Sequence, residues 1–428
     1  MSGLTLVSNN AAVTANAQPA TTHTPSVTEQ LRLEVQSDAF ALLQLIEQQY
    51  AYPARYPKGV QSVRKELEGR IPFLNSKTDL IAFSQRAFHA LYDHHSITGA
   101  GLADAYGLVP SFADLWVEYV DGNYMVMDVR QGSPALKAGI RPGSRVVSVE
   151  GRPIDEAVQH FIGPAYEHSD DERLAYAARV LLAGRRDRIR RIGLERDGLE
   201  WTLELPNLYQ ARLVREAGPV AVSLYDVEDK TVGVIRLNDS LGNAKTIEAF
   251  DRALNEVAEA DGLVIDLRDT ASGGNTLVAR GILSRFISQP TVYQRHILPN
   301  EERDFGVVRS WLEEVHPRGE MYDKPVAVVS GRWTASMGEG LTVAFDALGI
   351  PTFGTDMAGL LGGITDHRLP ATNVLVKLTT EQLQHVDGTP REDFHPRRYF
   401  EFADAPGESG QDEPLDTALY CVIGDSCE

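Results

Sequence analysis

Apolar residues recur at helical spacings from about residue 28, with Leu31, Leu33, Val35, Phe40, Leu42, Leu43, Leu45 and Ile46 on the pattern, which stops near Tyr52-Pro53. Asn75-Ser76-Lys77-Thr78-Asp79 offers capping residues for another helix running to about Tyr92. Between residues 114 and 160 the signal changes to short strands. Tyr124–Val129 and Arg145–Val149 read as strands, joined by turns at Gly132-Ser133-Pro134 and Pro142-Gly143 and by a short helix over Ala135–Ala138 closed by Gly139. Ile189–Glu204 reads as a hairpin turning at Arg196-Asp197-Gly198. From Thr231 onward apolar strands alternate with helices: Val232–Leu237, then 245–259, Leu263–Leu267, 275–287, Pro325–Val329, 337–348 and Thr352-Phe353. Such alternation predicts an α/β layer with buried, mostly parallel strands.

Composition narrows what this framework can do. In a chain of 428 residues, 43% are hydrophobic and 24% charged, which is the make-up of a folded protein and excludes disorder throughout. No stretch approaches the roughly 18 apolar residues of a membrane helix, so an integral membrane protein is not expected. Asp and Glu number 60 against 41 Lys and Arg, a net charge of −19. A surface this acidic repels phosphate backbones and anionic lipids, so nucleic acid is not an expected partner. The basic run Arg185–Arg191 reads as a solvated face. His160, His168, His296, His316, His367 and His385 show no metal-ligand spacing, and Gly273-Gly274 lacks the other positions of a nucleotide fingerprint. No metal or other cofactor is implied. Residues 1–27 read as a disordered or signal-remnant segment, with Ala15-Asn16-Ala17 resembling a cleavage site but no basic start before it. Cys421 and Cys427 either close a small disulfide loop or remain two thiols. These features favour a periplasmic or secreted location over a cytoplasmic one.

One place carries nucleophile chemistry on pattern alone. The strand Val326–Val329 runs into Ser330-Gly331-Arg332-Trp333-Thr334-Ala335-Ser336-Met337-Gly338-Glu339-Gly340, and a helix follows. A serine on a strand–turn–helix junction is exposed at the turn, while the helix amino terminus and nearby amides face a developing oxyanion. The plain alternative is a serine that only caps its helix.

Four motifs, in this order along the chain, resemble the C-terminal processing or tail-specific serine proteases, and specifically their tricorn-like branch. Leu91-Tyr92-Asp93-His94-His95-Ser96 is similar to the branch's leu-x-asp-gly-his-thr loop, which implies His95 as the base, with His94 as the fallback. Gly132-Ser133-Pro134-Ala135 through Pro142-Gly143 resembles a PDZ domain, although Ser144 stands where that family has Asp. Leu263-Val264-Ile265-Asp266-Leu267-Arg268 with Gly273-Gly274 resembles the asp-leu-arg-x-asn-x-gly-gly element, with Thr270 in place of Asn. That likeness implies Gly273 or Gly274, together with Met337, as oxyanion-hole amides. Ser336-Met337-Gly338-Glu339 matches the nucleophile motif. The lysine that most of the family uses is missing from Phe353–Gly363. Asp387-Gly388-Thr389-Pro390-Arg391-Glu392-Asp393 resembles the run that completes a triad in the histidine-using branches, which implies Glu392, with Asp393 as its neighbouring alternative.

The expected fold is therefore α/β, with a crotonase/ClpP-like α/β core, a helical amino-terminal region and an inserted PDZ-like β-rich domain. The expected divisions are 28–103 helical, 104–206 PDZ-like with a following helix and hairpin, and 207–428 the protease core. The expected function is a serine peptidase acting through Ser336, His95 and Glu392 on protein or peptide substrates, with a homo-oligomer left open. Two alternatives stand beside it: a non-catalytic peptide-binding scaffold, and an α/β-hydrolase-type esterase whose histidine would follow the serine as His367, His385 or His395.

Overall fold

The structure is a computed structural model that describes residues 26–424 apart from 57, 212–217 and 402–411. The expected leader segment up to residue 25, and Cys427, lie outside the described residues. Cys421 itself, buried in the last helix, is disulfide-bonded.

Three helices open the described chain: α1 (Val27–Gln49), α2 (Gln61–Leu67) and α3 (Lys77–Ala90). The first begins where the sequence suggested a tail still ran, because the Ser26 side chain accepts from the Glu29 amide and starts the helix there. Ser76 and Asp79 form the expected capping box at α3. Val35, Leu42, Leu43 and Ile46 of α1 and Leu80, Phe83 and Ala87 of α3 are buried together. Asp38, on the same helix, is fully buried and accepts from the amides of Ala371 and Thr372 and from the Thr372 hydroxyl. That carboxylate fastens the helical region to the carboxy-terminal half of the chain. After α3 the chain makes a short loop and enters β1 (Ile97–Thr98).

The next unit is a sheet in the order β2-β3-β4-β6-β7, with β5 paired to β4. It comprises β2 (Leu115–Val120), β3 (Asn123–Val129), α4 (Pro134–Lys137), β4 (Arg145–Val149), β5 (Arg152–Pro153), α5 (Ile154–Ile162), α6 (Asp171–Ala183), β6 (Arg190–Arg196) and β7 (Leu199–Leu205). The last two strands are the expected hairpin, turning through positive φ at Asp197 and Gly198. The basic run before it is not a uniform solvated face. Arg190 is 1% exposed and clamps the fully buried Asp114 with both guanidinium ends, at 2.5 and 3.0 Å. A bidentate pair offsets the cost of burying the charge, which charge patterning alone does not reveal.

A short α7 (Leu208–Ala211) leads to the α/β layer, whose sheet order is β17-β14-β13-β10-β9-β8. Its first elements are β8 (Val220–Val227), β9 (Lys230–Leu237), α8 (Lys245–Glu256), β10 (Gly262–Asp266) and α9 (Thr276–Leu283). β9 and β10 are parallel, as the alternation predicts. A hairpin that the pattern did not indicate follows, β11 (Thr291–Ile297), α10 (Pro299–Phe305) and β12 (Ser310–Val315). Then come β13 (Val326–Ser330), α11 (Met337–Ala347), β14 (Thr352–Gly354), β15 (Gly363–Arg368), β16 (Leu375–Gln384), β17 (Arg398–Tyr399) and α12 (Glu413–Cys421). The long β16 pairs with β15, β11 and the distant β1. This last pairing matters most for the site, because it draws the loop just before β1 onto the α/β layer. Among the described residues no helix is long and apolar enough to cross a membrane.

Candidate active site

β13 ends at Ser330 and the chain turns sharply before α11. Thr334 holds the turn: its hydroxyl donates to the Leu267 carbonyl and accepts from the Gly331 amide. Ser336 sits at the junction with φ 52° and ψ −110°, a backbone conformation that L-residues rarely adopt. A strained serine between a buried strand and a helix lifts its hydroxyl out of the turn. Gly338 follows because Thr270 packs beneath it; a Cβ there would lie 2.2 Å from the Thr270 hydroxyl.

The hydroxyl of Ser336 lies 3.0 Å from Nε2 of His95. Nδ1 of the same ring lies 2.8 Å from the Leu361 carbonyl oxygen. A carbonyl can only accept, so Nδ1 carries the proton and Nε2 turns its lone pair to the serine hydroxyl. The loop bearing His95 is itself fixed by the buried Asp93. That carboxylate accepts from the His95 amide at 2.8 Å, the Ser96 hydroxyl at 2.8 Å and the Thr379 hydroxyl at 2.7 Å. Thr379 belongs to β16, so the loop and the strand are joined by a side-chain network as well as by the β1 pairing. Burial pushes the His95 pKa down to about 4; the Arg391 charge adds to this, while Asp93 and the Leu361 carbonyl oppose it. The ring is therefore neutral at neutral pH, as a base must be.

Glu392 does not hold that ring. Its carboxyl is largely buried beside Tyr52, and burial raises its pKa. Asp393, the neighbouring alternative, is exposed. The carboxylate close to Ser336 is Glu339, one turn along α11. It is fully buried and accepts from the amides of Ser336 at 2.6 Å and Leu360 at 3.1 Å. Arg391 stands 3.9 Å from it and donates to the carbonyls of Leu360 at 2.8 Å and Gly362 at 2.6 Å. Glu339 and Arg391 thus grip the backbone of Leu360 and Gly362, the residues on either side of Leu361, whose carbonyl meets His95. Burial lifts the Glu339 pKa to about 7, against the pull of Arg391 and the two amides. The family resemblance implied Glu392 because it sits in a matching motif; a backbone carbonyl leaves no side-chain signature to read.

Gly273 and Gly274 flank the serine. Gly273 has φ +65°, and a Cβ there would come within 2.5 Å of the Ser336 Cβ. Its amide closes a turn onto the Thr270 carbonyl at 3.0 Å. Gly274 is packed on Leu241, where a Cβ would meet backbone at 2.2 Å, and among the described residues its amide makes no hydrogen bond. Ser272 in the same loop is tied down by Asp239 through both its amide and its hydroxyl, at 2.6 and 2.8 Å. Met337 opens α11, where a first-turn amide has no carbonyl partner within its own helix.

Residues 231–394 match peptidase family S41. This stretch is an S41 peptidase domain. The chain is also 26% identical over 242 residues to the carboxy-terminal processing protease CtpB of Bacillus subtilis (strain 168), a match covering 55% of this chain and 44% of that protein. The matched region thus spans less than half the length of that relative. Among solved structures, the chain superposes on the photosystem II D1 C-terminal processing protease with a TM-score of 0.56 at 17% identity, covering 92% of this chain and 98% of the other. Mature CPAF superposes with a TM-score of 0.58 at 16% identity, covering 92% and 97%. At these identities the superpositions speak for the fold.

The S41 domain contains Ser336, Gly273, Gly274, Met337, Glu339, Leu361, Arg391 and Glu392, but His95 lies outside it. The imidazole is delivered by the helical region, through the β1–β16 pairing. The other histidines are engaged elsewhere. His94 is half-buried and stacks on Tyr176 with ring centroids 4.3 Å apart. His385 faces Asp346 and Asp387, His395 bonds Asp356 at 2.6 Å, and His367 lies on the β15 strand. Among the described residues none of these bonds Ser336, so an esterase arrangement with a histidine after the serine is not formed.

Proposed function

We propose that the protein is a serine peptidase, and that Ser336 attacks a peptide carbonyl while His95 accepts its proton. The single observation behind this is the 3.0 Å approach of His95 Nε2 to the hydroxyl of a strained serine inside an S41 domain. The imidazole returns the proton to the leaving amine, and water then hydrolyses the acyl-enzyme. The amides of Met337 and Gly274 receive the oxyanion, while Gly273 clears the space beside the nucleophile. The Leu361 carbonyl fixes the ring tautomer, the part a carboxylate plays in a Ser-His-Asp arrangement. In this reading Glu392 supports the pocket next to Tyr52 and Glu339 without touching the imidazole.

The substrates in this reading are protein chains processed near their carboxy terminus, which the likeness to the Bacillus carboxy-terminal processing protease supports. The sheet β2–β7 acts as a PDZ-like unit that receives an extended segment at its edge strand β2. Arg179 of α6 already donates to the Val117 carbonyl on that edge at 2.8 Å, so an added strand displaces this bond.

The test is labelling by a fluorophosphonate probe together with hydrolysis of an unstructured protein substrate. The native chain is expected to be labelled at Ser336. Ser336→Ala is expected to lose labelling and to reduce turnover by on the order of 10³ or more. His95→Ala is expected to slow labelling comparably. Undiminished hydrolysis by the Ser336→Ala protein would overturn the assignment.

A further inference from the structure

A cavity of about 510 Å³ lies between the helical region and the β2–β7 unit, bounded by α3, α5 and α6 and by the loop around residues 102–106. It uses neither the edge strand β2 nor any residue of the S41 domain. Its volume is in the range of small-molecule sites. Its floor is aromatic: His89 meets Phe161 edge-on at 5.1 Å and Tyr106 at 6.5 Å, and its Nδ1 lies 2.9 Å from the Tyr176 hydroxyl.

The rim is cationic, in a protein whose net charge is −19. Five arginines line the cavity against three acids, Glu66, Asp104 and Glu150. Two of the five, Arg185 and Arg188, are paired with aspartates. Among the described residues the guanidinium groups of Arg86 and Arg152 form no hydrogen bond or ion pair, and the guanidinium of Arg173 has only a ring contact, 5.2 Å above Tyr92. Unpaired guanidinium groups over an aromatic floor suit a flat apolar body that ends in an anion.

The cavity also touches the catalytic loop. Tyr176, in its wall, stacks on His94, and His94 is the immediate neighbour of His95. We infer that this cavity is an effector site for a small aromatic carboxylate, whose ring contacts Tyr176 and His89, whose charge meets Arg86 and Arg152, and whose binding is felt at Ser336 through the Tyr176–His94 stack. The effect on Ser336 rests on the peptidase reading; the binding does not.

The experiment uses the whole chain with 2-naphthoate as the probe and the uncharged 2-naphthamide as its control. Calorimetry should show 2-naphthoate binding at least tenfold more tightly than 2-naphthamide. The Arg86→Gln/Arg152→Gln double variant, altered only at exposed positions, should bind 2-naphthoate at least tenfold more weakly with an unchanged melting temperature. Saturating 2-naphthoate should change the rate of fluorophosphonate labelling at Ser336 by twofold or more, and Tyr176→Leu should remove that change. Absence of binding at millimolar 2-naphthoate, equal affinity for the amide, or native affinity in the double variant would overturn the site. Binding with an unchanged labelling rate would overturn the effector role. A chain that binds the acid as expected but is never labelled would instead sink the peptidase reading and leave the site standing.

Discussion

Ser336, His95 and Leu361 form a chain of two hydrogen bonds in which each atom has one workable role. The carbonyl must accept, so the ring must donate from Nδ1 and accept at Nε2, and the serine must donate. This arrangement makes the acid side of the activity profile a direct readout of His95. With the pKa lowered to about 4, the ring remains deprotonated well below the ordinary 6.5. The rate of fluorophosphonate labelling should therefore rise with pH to half its plateau near 4 to 5 rather than near 6.5; a midpoint at or above 6.5 would mean that the ring is not buried as described. The same geometry ranks the two glutamates. Glu339→Gln keeps the side-chain shape but replaces one acceptor oxygen with a donor, beside amides that also donate. It should slow labelling by on the order of tenfold, equivalent to about 1.4 kcal/mol of barrier. Glu392→Gln should slow it less. The reverse order in measured rates would return the orienting role to Glu392.

At the scale of elements, the site is assembled from three pieces that meet at their ends: the β13–α11 turn, the β10–α9 loop with its two glycines, and the α3–β1 loop with His95. Each has its own lock. Gly273 keeps the second piece clear of the first, so Gly273→Ala should place a methyl group into Ser336 on a backbone already at positive φ. Labelling should fall by about 10² or more, and the melting temperature should drop by a few degrees, since Gly273 is buried and the added methyl group forces a shift. Asp93 locks the third piece to β16. Asp93→Ala removes a buried acceptor of three hydrogen bonds and should cost about 2–4 kcal/mol of stability in denaturant unfolding, along with most of the labelling. Stability within a few tenths of the native value would show that the loop is held by the β1–β16 pairing alone.

For the whole molecule, buried histidines set opposing pH limits. His89 and His95 have pKa values lowered to about 4, and His94 is also lowered, each chiefly by burial. The unfolded chain takes up protons at these rings first, so stability falls as pH drops from about 6.5 towards 4. His296 behaves oppositely. Burial lowers its pKa, but Glu313 and Glu381, each 3.0 Å from a ring nitrogen, outweigh this and raise it to about 9. Its contribution is complete below about 6.5 and is lost as pH rises through 9. Thermal melting should accordingly peak near neutral pH and drop by a few degrees towards pH 5 and towards pH 9.5. Removing the His296 contribution with His296→Gln should flatten only the alkaline side.

Several parts of the fold and of the candidate site were legible in the chain itself. The helical front, the Asp197-Gly198 hairpin, the alternating strands of the α/β layer and a serine at a strand–turn–helix junction all follow from spacing, because local periodicity and turn chemistry act over a few residues. The hairpin of β11 and β12 went unread, since Val292, Trp311 and Leu312 leave its strands apolar yet exposed, without the alternation that marks a half-buried strand. Arg190 passed as a surface charge for a similar reason: its partner Asp114 lies 76 residues away. What only the tertiary structure decided is which groups face His95. A motif can nominate a glutamate, but it cannot show that the backbone on either side of Leu361 is gripped by Glu339 and Arg391, or that β1 pairs with β16 across most of the chain. The sequence determines what each segment can be, because those preferences are local. Who stands opposite whom is settled by packing between distant segments, and the hydrogen bonds that join Ser336, His95 and Leu361 are made there.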